Sequence, residues 1–243
     1  MRYLITFAYR GTNYHGWQVQ PNGVTVQQLL DEAISTLTRE EIHSIGAGRT
    51  DAGVHAKMMT AHFDTEKEIK DIGNFAYKIN KILPEDIAVF KLEDVADDFS
   101  ARFSATSRTY RYYITTKKDA FASDQMAYIA LIFDIDKMND AAQILLETED
   151  FTSFSKVNTD TKTNICNVTK AEWTSPCEGK LIFEITANRF LRNMVRAIVG
   201  TLLDVGRNKI TKEDFRRIIE TKDRCSASTS APACGLYLED ITY

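Results

Sequence analysis

At 243 residues, 44% of them hydrophobic, the chain can bury one large core or two of about 100 residues each, and its composition excludes a disordered or fibrous protein. The longest apolar run, AYIALIF at 127–133, is too short to cross a bilayer, and MRYLITFAYR opens as a strand rather than a secretory signal, so the expected location is the cytoplasm. The formal net charge of −4 excludes a uniformly basic binder of polyanions, yet five bases and no acid lie between Ser100 and Lys118, and ten bases against five acids between Arg189 and Arg224.

In chain order, residues 2–9 alternate like a strand. TVQQLLDEAISTL from Thr25 has Val26, Leu29, Leu30, Ala33, Ile34 and Leu37 at helical spacing, with Thr25 and Gln28 placed as a capping box. Strand-like pieces at 42–46 and 57–64 flank a glycine loop, a second helix carries Ile72, Phe75, Ala76, Ile79 and Ile82 on one face, and Pro84 ends it before the strand DIAVFKL. The first half therefore reads β-α-β-β-α-β. SRTYRYYITT is expected as a strand, KMNDAAQILLET as a helix, and NICNVTKAEW with KLIFEITA as a strand pair. NRFLRNMVRAIVGTLLDVG is expected as a long helix, TKEDFRRIIE as a short one and GLYLEDITY as a closing strand. The second half repeats the order with one extra helix. Two split β-α-β arrangements predict an α+β (α/β) protein of two ferredoxin-like halves, 1–103 and 104–243, whose helix-free sheet faces form a cleft.

GAGRTDAGVHA at 46–56 holds three glycines, an arginine and a carboxylate, but no run of side chains suited to a core. A tight turn between strands is one reading of it. A phosphate cradle is a weak one, because GxGxxG and GxxxxGK[ST] are both absent and no helix pattern follows directly. The third is a carboxylate, Asp51, held on a backbone that bends close to a ligand, with Arg49 or another cation beside it. Such a carboxylate needs positioning more than tuning. On the expected helix, Arg189, Arg192 and Arg196 fall three and four apart beside an apolar stripe, which suits either a solvated edge or the binding of phosphate or carboxylate. In SARFSATSRTYRYY the aromatics Phe103, Tyr110, Tyr112 and Tyr113 interleave with Arg102, Arg108 and Arg111; core packing explains some of them, and a base-stacking platform beside phosphate-binding arginines explains the set. Cys166, Cys177, Cys225 and Cys234 lack CxxC spacing, so no metal site or disulfide framework is expected.

Six blocks together, YRGTNYHGWQ, GRTDAGVHA, FSARFSATSRTYRY, DFTSFSK, NRFLRNMVRAIVG and APACGLYL, resemble the tRNA pseudouridine synthase A (TruA) family in order and interval, across essentially the whole chain. The resemblance implies two ferredoxin-like halves facing a basic cleft and a homodimer that converts uridines at positions 38, 39 and 40 of the tRNA anticodon stem-loop. It also implies the roles. Asp51 stands for the catalytic aspartate, Tyr110 for the tyrosine against the target base, Arg196 for the arginine paired with the aspartate, and Leu236 for the apolar wall of the base pocket. Arg49 stands for the arginine that holds the flipped nucleotide, and Arg192 and Arg108 join the substrate-binding set. The reaction breaks N1–C1′, rotates the base and forms C5–C1′ without redox change, so no cofactor, nucleotide or metal is expected. Asp51 acts either as nucleophile or as base. The acidic overall charge, the Cys in APACGLYL, and Ser107 and Thr109 in the basic patch depart from the family pattern. A non-catalytic tRNA-binding module or RNA chaperone is the competing class; a glycoside hydrolase would want a second positioned carboxylate, and the blocks offer none.

Overall fold

The computed structural model describes residues 1–157 and 161–243. Packing divides the chain into two compact units, Met1–Thr106 with Leu238–Tyr243, and Ser107–Tyr237. Both mix strands and helices, giving a mixed α+β protein.

In the first unit, β1 (Arg2–Tyr9) lies between β4 (Ile87–Val95) and β3 (His55–Asp64), antiparallel to both, and the two-residue β2 (Ile45–Gly46) pairs with β3 at Ile45–His62 and Gly46–Ala61. Strand alternation places Tyr3, Ile5, Phe7 and Tyr9 of β1 on the same side as Met59, Ala61 and Phe63 of β3, and all are buried. The apolar stripe of helix α1 (Val26–Thr38), with Val26, Leu30, Ala33 and Ile34 at 0% exposure, and Ile79 of α2 (Ile72–Ile82) supply the rest of this core. Each Val, Leu, Ile, Phe or Met side chain among them contributes about 1.5–3 kcal/mol of burial. Thr25 caps α1 as expected, its hydroxyl accepting from Gln28 N; the Gln28 side chain turns instead to Glu32 at 2.9 Å, so half of the expected box forms.

In the second unit, β5 (Ser107–Thr115), β8 (Lys180–Ala187) and β7 (Val168–Cys177) form an antiparallel order β5-β8-β7, with β6 (Ala127–Tyr128) parallel on β5. Tyr112, Phe183 and Trp173 stand in cross-strand register on the buried side, and the last two stack at 4.9 Å. Helix α3 (Ile135–Ala142) packs on β7 and on α4 (Met194–Gly206), which is buried almost all round, and α5 (Lys212–Glu220) closes the group behind a capping box of Thr211 and Asp214.

Further features differ from the sequence expectations, among them that the helix expected over KMNDAAQILLET is α-helical only to Ala142 and tightens to a 3-10 turn over Gln143–Leu146. The long helix expected from residue 188 starts at Met194, because Asn193 sits in the left-handed region at φ 66°, where helical hydrogen bonding cannot continue. Arg189 and Arg192 therefore precede α4 and share no helical edge with Arg196. The closing strand β9 (Leu236–Thr242), expected in the second half, returns the chain to the first unit at Leu238 and pairs with β3.

Candidate active site

Asp51 lies in the turn between β2 and β3, half-exposed, with Arg49 exposed two residues before it. The turn is built by main-chain contacts. Val54 N–H donates to Asp51 O at 3.2 Å, Ala47 N–H donates to Thr60 O at 2.9 Å, and Gly53 takes φ 77°, which L side chains rarely adopt. A segment remote in sequence holds the turn from outside. Trp17 N–H donates to Thr50 O (3.3 Å), Gly53 N–H to Tyr14 O (3.3 Å) and Gly11 N–H to His55 Nδ1 (3.1 Å), while the Tyr9 hydroxyl meets Thr50 Oγ1 at 2.8 Å. Gly16, at φ 88°, approaches so closely that a Cβ there would stand 2.3 Å from Thr50 O. Tyr14 is anchored in turn by a short hydrogen bond from its hydroxyl to Asp86, and burial with that carboxylate beside it pushes its phenol well above the usual range. Tyr9, Tyr14, Gly16 and Trp17 were assigned no role by sequence. Their membership of YRGTNYHGWQ was the one available signal.

The remaining sequence-predicted residues belong to the second unit, where the structure draws four of the blocks together. Tyr110 on β5 is 9% exposed and meets Phe190 edge-on, with ring centroids 5.0 Å apart. Arg108, opposite Ala187 on β8, donates from Nη1 to Asn188 O at 2.8 Å. Arg192 is exposed in the turn before α4, and its carbonyl accepts from Lys156 N of DFTSFSK. Arg196, in the first turn of α4, donates from Nε to Ala231 O at 2.7 Å and accepts the Ala231 N–H on its own carbonyl at 2.9 Å. Its guanidinium is thereby oriented along the segment that leads to Leu236, which is 6% exposed at the head of β9. Burial raises the Cys234 thiol in this segment and the Tyr112 phenol on β5, and the Arg196 charge opposes both shifts. The Tyr112 hydroxyl donates to Pro232 O.

On the opposite side of β5 from Tyr110, Arg111 Nε and Lys170 Nζ reach Glu184 at 2.5 and 2.7 Å. Burial would raise that carboxyl, but the two cationic hydrogen bonds hold it below the usual range. The Arg111 charge, counted from sequence as part of a basic face, is therefore largely offset. Thr109 meets Thr186 on the same side, which makes it polar and nearly neutral.

The sequence-predicted residues thus divide between the units, Asp51 and Arg49 in the first and Arg108, Tyr110, Arg192, Arg196 and Leu236 in the second. Comparison resolves the class. A family profile described as tRNA pseudouridine synthase matches residues 5–104 and 141–243, and the chain belongs to that family. It is 54% identical over 242 residues to tRNA pseudouridine synthase A of Bacteroides fragilis, covering 100% of this chain and 96% of that one. It is 54% identical to the protein of that name from Parabacteroides distasonis, again over 100% and 96% of the two chains, and 38% identical to that from Exiguobacterium sibiricum, with the same coverage.

Proposed function

We propose that this protein converts uridine to pseudouridine at positions 38, 39 and 40 of the tRNA anticodon stem-loop, working as a cytoplasmic homodimer with Asp51 as the reacting carboxylate. Family membership makes it an isomerase acting on tRNA uridine. The positions, the dimer and the residue roles follow the family pattern carried by the six blocks, and tRNA as substrate suits the cytoplasm. We also read each unit as ferredoxin-like, a reading supported in the first by its strand order β4-β1-β3-β2.

The observation that carries the assignment is the turn around Asp51, held at Thr50 and Gly53 by a segment more than thirty residues away. An ordinary connection between strands requires no such support. The isomerisation breaks N1–C1′, turns the base and joins C5 to C1′; the proton leaving C5 is balanced by one gained at N1, so no co-reactant is consumed. A stacked uridine hides its glycosidic bond, so it is flipped out. Asp51 then acts at the sugar, as nucleophile at C1′ or as base on a sugar proton. Arg196 pairs with Asp51, Tyr110 packs on the flipped base, Leu236 lines its pocket, Arg49 holds the flipped nucleotide, and Arg108 and Arg192 bind phosphates.

Asp51→Asn is expected to abolish pseudouridine formation while tRNA affinity stays within about tenfold, because phosphate contacts dominate binding. Wild-type turnover by this variant would remove Asp51 from its role. Wild-type protein that binds tRNA and yields no pseudouridine would favour the binding module. Mapping product on tRNAs with U38, U39 or U40 replaced one at a time tests the positions.

A further inference from the structure

We propose that Tyr9 is a positioning residue for the isomerisation, its hydroxyl acting through Thr50 to set where the Asp51 carboxylate stands. This rests on Asp51 being the reacting group. Tyr9 ends β1, the strand bracketed by β4 and β3, and its ring is buried at 4% exposure and stacked on Phe7 at 6.1 Å. Its Cα pairs with Ala56 on β3 and Ile87 on β4, so its place is fixed from both sides. The phenol oxygen is 2.8 Å from Thr50 Oγ1.

Thr50 is thus gripped twice, through its carbonyl by Trp17 N–H and through its hydroxyl by Tyr9, and the next residue is Asp51. Two fixed points on one residue restrict the torsions that aim the next side chain. The Trp17 contact belongs to the main chain and survives any side-chain change. The Tyr9 contact connects the rigid sheet directly to the acid's neighbour, and it can be removed by deleting one oxygen. Because small displacements of a reacting group are costly in rate, the loss should appear in the chemical step before it appears in folding or binding.

The test uses the full chain and unmodified tRNA, with single-turnover rate, tRNA affinity and melting temperature measured on each protein. Tyr9→Phe keeps the ring and is expected to lower the rate about 3- to 10-fold, the equivalent of one hydrogen bond, with affinity within about twofold. Thr50→Val should give a similar loss, and Thr50→Ser, which keeps the hydroxyl, a smaller one. The double variant Tyr9→Phe/Thr50→Val should be no slower than the slower single, since both remove the same contact. A wild-type rate for Tyr9→Phe, additive losses in the double variant, or a loss that vanishes after correction for folded fraction would each overturn the proposal. Asp51→Asn run alongside separates the two failures: if it is inactive while Tyr9→Phe is unaffected, the positioning role fails alone, and if it is active, the site assignment fails first.

Discussion

Tyr110 places two demands on one ring, since it is 9% exposed and edge-on to the half-buried Phe190, and in the proposed reaction the same ring packs on the uridine. Tyr110→Phe should fold normally, so any fall in single-turnover rate reports the hydroxyl. Tyr110→Ala should lower the melting temperature, by roughly 2–4 °C for each kcal/mol of packing lost. It should also slow conversion by the ~1–3 kcal/mol typical of base–aromatic stacking, after correction for folded fraction. Melting curves and single-turnover rates on the three proteins check this; an Ala variant with a low melting temperature and full activity would leave Tyr110 a core residue alone. The turn that carries Asp51 and Arg49 was legible in sequence because glycines stand on both sides of it, while the roles proposed for the two residues rest on the family resemblance. Tyr9 and Thr50 were not, since their contact joins residues 41 apart and neither type announces a partner. Arg111 illustrates the opposite error: its charge was visible, while the Glu184 that offsets it stands on another strand.

Helix α1 is tied to the segment that leads into β2 by a buried carboxylate. Asp31 Oδ1 accepts from Ser44 N at 3.0 Å and from Ser44 Oγ at 2.5 Å, and Gln27 donates to Ser44 O at 2.7 Å. Burial pushes the Asp31 carboxyl up to about 6, against the Ser44 hydrogen bonds and the nearby His43, which pull it down, and with a small upward contribution from Glu32. A carboxyl raised on folding takes up protons in the native state, so its contribution to stability is full below the unfolded value near 4 and is lost as pH rises through about 6. Melting temperatures of wild type and Asp31→Asn between pH 4 and 8 should therefore diverge, with wild type losing ground to the variant up to about pH 6 and the difference constant above it. A difference independent of pH would mean that Asp31 is not raised. At this scale the elements were largely legible, because apolar spacing of 3.6 or 2 is set by which face meets the core. The start of α4 was not: MVRAIVG continues the apolar stripe of NRFLR without a break, and the left-handed turn at Asn193 depends on local backbone geometry and on its side chain reaching Ser230 at 2.7 Å.

Across the whole molecule, the strand that follows Tyr237 belongs to the first unit. Thr242 O accepts from Thr106 N at 2.8 Å, Glu239 pairs with Lys57 at 3.0 Å, the Tyr243 hydroxyl lies 2.5 Å from Thr60 Oγ1 and donates to Ala101 O at 2.9 Å, and Leu238 and Ile241 are buried. Shortening the chain after Tyr237 deletes none of the proposed site residues. It should nevertheless lower the melting temperature by several degrees, because two buried aliphatic side chains and the pairing with β3 are lost, and it should reduce pseudouridine formation by weakening the unit that carries Asp51. Unchanged melting of the shortened chain would count against this. The return of the chain could not be read from the closing strand's own pattern, since alternation shows that a strand has a buried face and not which strand it pairs with. It also orders events during synthesis. The first 106 residues leave the ribosome with β3 able to pair with β1 and, at Ala61 and His62, with β2, but not yet with β9, and roughly 130 residues of the second unit follow before that strand is made. At about 5–20 residues per second that wait is on the order of 10 s. The nascent protein thus spends that interval with an unpaired strand edge, open to wrong pairings, and the unit bearing the acid is completed last although it is made first.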